Sequence, residues 1–329
     1  MTDAPSKDQA GVSPALPSWN EGPAKAGLLE YVARVTEPGS PDFIPPSERI
    51  AVFDNDGTLW PENPIPFQAA FIMDRLKEGL GDHPEWAEDP AVQSALKLDV
   101  RALVDDGHRG LLRIVSLTHA GMTTDAFTER VNHWMHTARH PRYERPYDAC
   151  IYQPMLELLR YLRAQDFKTF IVSGGGADFM RVWSERVYGI PPEQVVGSHG
   201  QVTFEVRDGE AVLHKSTDGI FVDDKEGKPV GIHQFIGRRP VLAFGNSDGD
   251  KAMLEYTTLG NPRPSLGLIL HHTDGEREYA YDAEPRSTGK LVEALADAPE
   301  RGWVVVDMAR DWSTVLLNEP FPAESPSSP

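Results

Sequence analysis

The sequence predicts an α/β fold: a parallel sheet core with a helical domain inserted after its first strand. Three observations predict it. Apolar runs without alternation occur at Ile50-Ala51-Val52-Phe53, Thr169 to Val172, Val241 to Phe244 and Leu266 to Leu270, and such runs suit strands buried on both faces of a parallel sheet. The first three end in polar, glycine-containing turns: Asp54-Asn55-Asp56-Gly57-Thr58, Ser173-Gly174-Gly175-Gly176 and Gly245-Asn246-Ser247-Asp248-Gly249-Asp250. Between the first run and the second lies a long block with helical spacing and no convincing strand.

Taken in order, residues 1 to about 24 are rich in Pro, Ala, Ser and Gly and read as a flexible arm. Leu28, Leu29, Val32 and Val35 mark a short helix over Ala24–Val35, which the Pro38–Ser47 cluster ends. The inserted block shows Phe67, Phe71, Ile72 and Leu76, then Leu103, Leu111, Leu112 and Ile114, then Phe127, Val131 and Trp134 at helical intervals. Met155, Leu158, Leu159 and Leu162 mark a helix with Pro154 in its first turn. A helix over Asp178–Val187 should follow the second turn, and Asp208-Gly209 should join a hairpin of Val202–Val206 with Val212–Lys215. The expected organisation is an arm and helix (1–45), a first core part (46–66), a cap (67–148), a second core part (149–318) and a disordered tail (319–329).

The 329 residues are 40% hydrophobic and 25% charged, an ordinary globular composition, with a net charge of −18. That charge repels nucleic acid and anionic membrane surfaces. It also means that any anionic substrate needs local cationic help. The single cysteine, Cys150, rules out an internal disulfide and reads as a packing residue. No apolar run approaches the roughly 20 residues that span a bilayer. No signal-like segment opens the chain, so a cytoplasmic protein is expected, with an exported form that has lost its signal left open.

In open α/β sheets ligands bind beyond the carboxyl ends of the strands, so the three turns can converge. Asp54 and Asp56 can divide two jobs: attack on phosphorus, and proton transfer to and from the leaving oxygen. A divalent cation would offset their repulsion of an anionic substrate, and oxygen donors favour Mg²⁺. An isolated Asp-x-Asp-Gly is equally a solvated turn. Ser173 and the glycine N–H groups can hold phosphate oxygens. Asn246, Asp248 and Asp250 can supply metal ligands, and an acidic cap for a helix beginning near Lys251 is compatible with that role.

The order Asp54-x-Asp56-Gly57-Thr58, Ser173-Gly174, a lysine, then Gly245-Asn246-x-x-x-Asp250 resembles the four motifs of the haloacid dehalogenase-like superfamily, most of all its phosphoserine phosphatase-like branch. The resemblance covers roughly residues 45 to 275 and implies a Rossmann-like core with a helical cap. It implies Asp54 as nucleophile and Mg²⁺ ligand, and Asp56 as general acid/base with its carbonyl on the metal. Ser173 and Gly174, with Gly175 beside them, would bind the phosphoryl group. Lys228 best matches the family lysine, ahead of Lys225 and the more distant Lys215. Asn246 departs from the pattern, which has aspartate there as a metal ligand; Asp248 could compensate, and Asp250 keeps the second acidic position. Asp56 argues against a dehalogenase. The implied activity is hydrolysis of a small phosphorylated metabolite with Mg²⁺. A binding protein without turnover and transfer to an alcohol acceptor are the alternatives.

Glu62 is a candidate for substrate binding. Trp60 either walls the substrate pocket or packs in the core. His119, His133, His136 and His140 lack zinc-ligand spacing. His271, His272 and Asp274 read as loop residues or as support behind the site. Arg142, Tyr143, Arg145 and Tyr147 touch an anionic substrate or brace the hinge.

Overall fold

The computed structural model describes residues 15–97, 103, 109–119, 121–216 and 219–317. Its first strand, β1 (Ile50–Phe53), is buried throughout. Ile50 and Val52 face one apolar layer while Ala51 and Phe53 face another. Side chains alternate across a strand, so an uninterrupted apolar run is what two covered faces require. The same sheet holds β2 (Lys168–Gly176), β3 (Val195–Ser198), β6 (Leu242–Gly245), β7 (Leu266–His271) and β8 (Val304–Asp307). Its six strands run in the order β3-β2-β1-β6-β7-β8, and every pairing is parallel. β1 has β2 on one side and β6 on the other, and the chain progresses outward in opposite directions from it. Asp54 therefore leaves the sheet at its topological switch point, where such folds form their ligand crevice.

β3 and β8 have no counterpart in the expected strands. Each is four residues long, too short for periodicity to separate from loop. The helix Glu293–Arg301 was not expected either. The helix expected over Asp178–Val187 is broken into Ala177–Arg181 and Ser184–Tyr188. Trp183, fully buried between them, leaves helical geometry at φ −130°.

Between β1 and β2 the chain forms helices Phe67–Asp82, Pro90–Leu96, Arg109–His119 and Thr124–Thr137. Phe71 ties this block together, with Trp134, Phe127 and, from the core, Phe179 around its ring. Leu103, Ile114, Phe127, Val131 and Trp134 are buried; the side chains of Leu111 and Leu112 lie outside the described residues. The hairpin β4 (Val202–Arg207) and β5 (Glu210–Lys215) rises from the core side and grips the same block, Lys215 N–H donating to Met122 O and Gly121 N–H to Lys215 O.

Residues 15–22 belong to the stretch expected as an arm, yet they are docked. Leu16 and Trp19 are buried. The Trp19 ring lies edge-on to Trp312 at 5.9 Å, and its Nε1 donates to Pro154 O at 3.0 Å. Two large apolar side chains give this Pro-containing segment enough surface to bury. Residues 1–14 and the expected tail lie outside the described residues. Among the described residues no helix is long and apolar enough to cross a membrane.

Candidate active site

β1, β2 and β6 bring the three turns together at one sheet edge. Lys228, on the short helix Gly227–Gly231, crosses beneath them. Its Nζ donates to Asp54 Oδ1 at 2.6 Å, to Asp250 Oδ1 at 2.6 Å and to Val172 O at 3.0 Å. Three acceptors for three N–H groups is the arrangement of a charged ammonium. Burial works to lower Lys228, but Asp250 and then Asp54 outweigh it and hold it above its ordinary value. Lys225 is exposed in a left-handed turn at φ 51°. Lys215 is elsewhere, ion-paired with Asp178 with its ammonium 4.5 Å from the Phe127 ring centroid.

Burial, followed by the Asp250 charge, pushes the Asp54 carboxyl well above its ordinary value, and the Lys228 contact opposes them. The second Asp54 oxygen meets no hydrogen-bond donor among the described residues. Asp56 Oδ1 accepts the Trp60 Nε1–H at 2.7 Å. Burial raises Asp56 to about 6 in spite of that bond and of the Lys228 charge. Its Oδ2, Ser173 Oγ and Gln68 Oε1 all lie 3.4–3.6 Å from the position a Gly175 Cβ would take. The proton-transfer candidate, the Ser173 hydroxyl and Gln68, from the helix Phe67–Asp82, thus surround one position beside Gly175.

The Ser-Gly turn is more self-satisfied than expected. Gly175 N–H donates to Ser173 Oγ at 3.1 Å and Gly176 N–H to Gln68 Oε1 at 2.6 Å. The following helix is five residues long. Ser173 and Gly174 remain the groups best placed for an anion. Asp224 sits across from Gly174. Asp223 is wholly buried, and neither of its oxygens has a partner in hydrogen-bond geometry among the described residues. Burial lifts it to about 7, with Lys228 pulling the other way.

Trp60 and Glu62 are both buried and engaged with protein groups. Trp60 is buried and stacks on Trp183 at 4.2 Å; its part in the site is the tether to Asp56. Glu62 is 3% exposed. Its Oε1 accepts from Asn246 Nδ2 at 2.8 Å and Tyr281 O–H at 2.7 Å, and its Oε2 from Thr288 O–H at 2.5 Å. Burial lifts Glu62 to about 7 against the Thr288 and Tyr281 bonds. Three donors already occupy its two oxygens, and its burial keeps it from solvent.

The fourth turn divides its acids. Asp250 Oδ2 accepts the N–H groups of Asn246 (2.9 Å) and Ser247 (3.0 Å) and the Ser247 O–H (3.1 Å). With Oδ1 on Lys228, Asp250 is spent on holding the turn and the lysine. Asp248 Oδ1 accepts from Val292 and Ala294 N–H at 3.0 Å each, capping the helix Glu293–Arg301. Asn246 Oδ1 accepts the Thr58 O–H at 3.0 Å. Among the described residues no three His, Cys, Asp or Glu side chains converge as a metal cluster. What remains for a cation is the second Asp54 oxygen, the Asp56 carbonyl and the second lone pair of Asn246 Oδ1. These are hard oxygen donors of the kind Mg²⁺ takes alongside water and phosphate. The donor type fits; the charge is a single carboxylate.

Several residues here carried little or no signal in the sequence. Gln68 is an ordinary residue of the first cap turn. Tyr188 O–H bonds Asn55 Oδ1 at 3.1 Å from 133 positions away. Tyr281 and Thr288 reach Glu62 from 219 and 226 positions away. His272 is buried, its Nε2 2.7 Å from Gly57 O and its Nδ1 3.1 Å from Glu278 Oε2; it follows β7 at the same sheet edge, so its place in the chain pointed here. Arg142 and Arg145 bond the carbonyls of Gly275, Glu276 and Leu317 and brace the return to the core.

The family profile described as haloacid dehalogenase-like hydrolase matches residues 51–255. A search of curated proteins finds no match. Among solved structures, a functionally unknown conserved protein from Anaerococcus prevotii DSM 20548 is 15% identical at a TM-score of 0.50, with 84% of this chain and 89% of that one covered. A protein with unknown function from Bordetella pertussis Tohama I is 17% identical at 0.48, covering 79% and 98%. A phosphoserine phosphohydrolase-like protein from Francisella tularensis subsp. tularensis SCHU S4 is 15% identical at 0.42, covering 77% and 98%. At these identities the likeness concerns the fold.

Proposed function

This chain belongs to the haloacid dehalogenase-like hydrolases, and from that premise we propose that it hydrolyses a small phosphomonoester through a phospho-Asp54 intermediate. One observation carries the reading: a buried carboxylate at the switch point of the sheet with one oxygen held by Lys228 and the other unpartnered among the described residues. That free oxygen attacks phosphorus and forms an acyl phosphate as the alkoxide leaves. Asp56, raised to about 6 by burial, delivers its proton to the leaving oxygen. It then takes a proton from the water that attacks the acyl phosphate and restores Asp54. Lys228 holds Asp54 in place, and Ser173 and Gly174 N–H receive the phosphoryl oxygens. Mg²⁺, held through Asp54, the Asp56 carbonyl and Asn246, would supply positive charge that favours ionised Asp54 and accepts the substrate anion.

The test is release of phosphate from an aryl phosphate with Mg²⁺. EDTA should stop it, and Asp54→Asn should lower turnover by at least about 10³-fold with its fold intact by circular dichroism. Full turnover in Asp54→Asn would sink the reading. Asn246 favours one alternative, a phosphate-binding protein without turnover; binding of phosphate with no hydrolysis across a phosphoester panel would establish it.

A further inference from the structure

Position 246 holds an amide where the family pattern has a carboxylate, and the structure shows what surrounds that amide. Nδ2 can only donate, and it lies 2.8 Å from Glu62 Oε1. Flipping the amide would set two acceptor oxygens at that distance. Oδ1 is therefore fixed on the Thr58 side, where it accepts one hydrogen bond at 3.0 Å. Glu62 is itself immobilised, since Tyr281 and Thr288 hold both of its oxygens. The backbone closes in from two sides. A Cβ on Gly57 would fall 2.2 Å from Asn246 Nδ2 and 2.4 Å from Glu62 Oε1, and one on Gly289 would fall 2.2 Å from Glu62 Oε1. Neither side chain has room to relocate.

We propose that Glu62 is a positioning residue that locks the Asn246 amide with its oxygen toward Thr58, and that the Glu62–Asn246 pair replaces a lone carboxylate at position 246. An aspartate there would have the shape of Asn246, yet it would put a carboxylate oxygen where the Nδ2 donor now meets Glu62 Oε1. The chain carries its acid at 62 and its amide at 246, and the two choices are coupled. Restoring the family residue at 246 alone breaks the site; restoring it together with an amide at 62 reverses the polarity of the same hydrogen bond. The consequence for a cation, that Asn246 Oδ1 is the atom kept free for it, rests on the phosphohydrolase reading.

Four full-length proteins test this: wild type, Asn246→Asp, Glu62→Gln and the double variant. Thermal melts of metal-free protein at pH 8 read the lock by itself. Asn246→Asp should melt about 5 °C or more below wild type, Glu62→Gln should lose less, and the double variant should regain most of the Asn246→Asp loss. Asn246→Asp melting at or above wild type, or a double variant showing only the sum of the two single losses, overturns the proposal. Calorimetric titration with Mg²⁺ reads positioning apart from folding. Glu62→Gln should bind several-fold more weakly than wild type, because an amide at position 62 pairs with either end of the Asn246 amide. The double variant should bind more tightly than wild type, with a carboxylate now at 246. An unchanged dissociation constant in Glu62→Gln overturns the positioning role. Stability coupling in a wild-type protein that binds no Mg²⁺ upholds the lock and removes the phosphohydrolase reading instead.

Discussion

Replacing Lys228 by methionine removes the ammonium and keeps most of the side-chain volume. Asp54 and Asp250 each lie 2.6 Å from the same nitrogen. At an effective dielectric near 20, two bare charges about 5 Å apart, the most this geometry allows their nearest oxygens, repel by about 3 kcal/mol. Removing one partner of a buried ion pair costs roughly 3–5 kcal/mol overall, which for a chain of this length lowers the melting temperature by roughly 5 °C. The repulsion alone raises a carboxyl by about two pKa units, and Asp54 already stands above its ordinary value through burial and Asp250. In the variant Asp54 takes the proton. Its folded value then exceeds its unfolded one, so stability from this proton is fully present below the unfolded value and is lost as pH rises through the folded one. The deficit against wild type should therefore be small near pH 5 and large near pH 8. Calorimetry of metal-free protein at both values measures it, with phosphate release falling because the nucleophile is neutral. Lys225→Met, altering an exposed residue, should change neither. A Lys228→Met deficit below about 1 °C, or one equal at the two pH values, would refute this account of the site.

Other outcomes follow from groups outside that pair. His119 is buried in the cap, and burial, with the Lys215 charge, lowers it to about 4 from 6.5. It stays neutral in the fold while the unfolded chain takes up a proton, so stability is complete above pH 6.5 and declines toward pH 4, by on the order of 3 kcal/mol. His119→Phe should flatten that part of the melting-temperature profile, and an unchanged acid slope would count against a neutral buried His119. Asp248 caps the helix Glu293–Arg301, so Asp248→Ala should cost about 1 kcal/mol in urea unfolding and leave the Mg²⁺ dependence of phosphate release unchanged. A weakened Mg²⁺ response would return Asp248 to the metal site.

The parts of the site legible in the sequence are those where local pattern and chemistry coincide. A four-residue apolar run ending in two aspartates tells the reader both the strand and the edge it points to, because a buried parallel strand cannot end in carboxylates anywhere but at its rim. Lys228 was ranked first of three lysines from its place in the sequence; its contacts with Asp54, Val172 and Asp250 could be read only from the structure. What stayed hidden depends on contacts at long separation. Glu62 reads as a substrate ligand until Tyr281 and Thr288 are found holding it, and nothing near residue 62 announces them. Asp248 reads as a compensating ligand, and that its Oδ1 also caps the helix Glu293–Arg301 stayed hidden because that helix was not foreseen. Trp60 offered two readings, a wall for the substrate or core packing; it is buried against Trp183 and also donates to Asp56, a contact that neither reading contained.

The distribution of charge decides which acids are available for chemistry. Asp54, Asp56, Asp223, Asp224 and Asp250 gather around the Lys228 ammonium, with Glu62 beyond Asp56, in a chain of net charge −18. Such a pocket would reject a phosphate ester if all its acids were bare. The structure disposes of them in separate ways. Asp250 is consumed by Lys228 and three donors of its own turn. Glu62 is consumed by an amide and two hydroxyls. Asp223 is carried by burial to about 7, where much of it is neutral. Asp224 stays exposed at the rim, where water screens it. Asp54 and Asp56 each keep one oxygen turned away from its donor, Lys228 or Trp60, and among the described residues that oxygen meets no other donor. These are the two atoms to which the proposed function gives nucleophilic attack and proton transfer. A merely solvated turn would have no reason to bury Asp54 against an ammonium and to bind its neighbour Asp250 to that ammonium and three further donors.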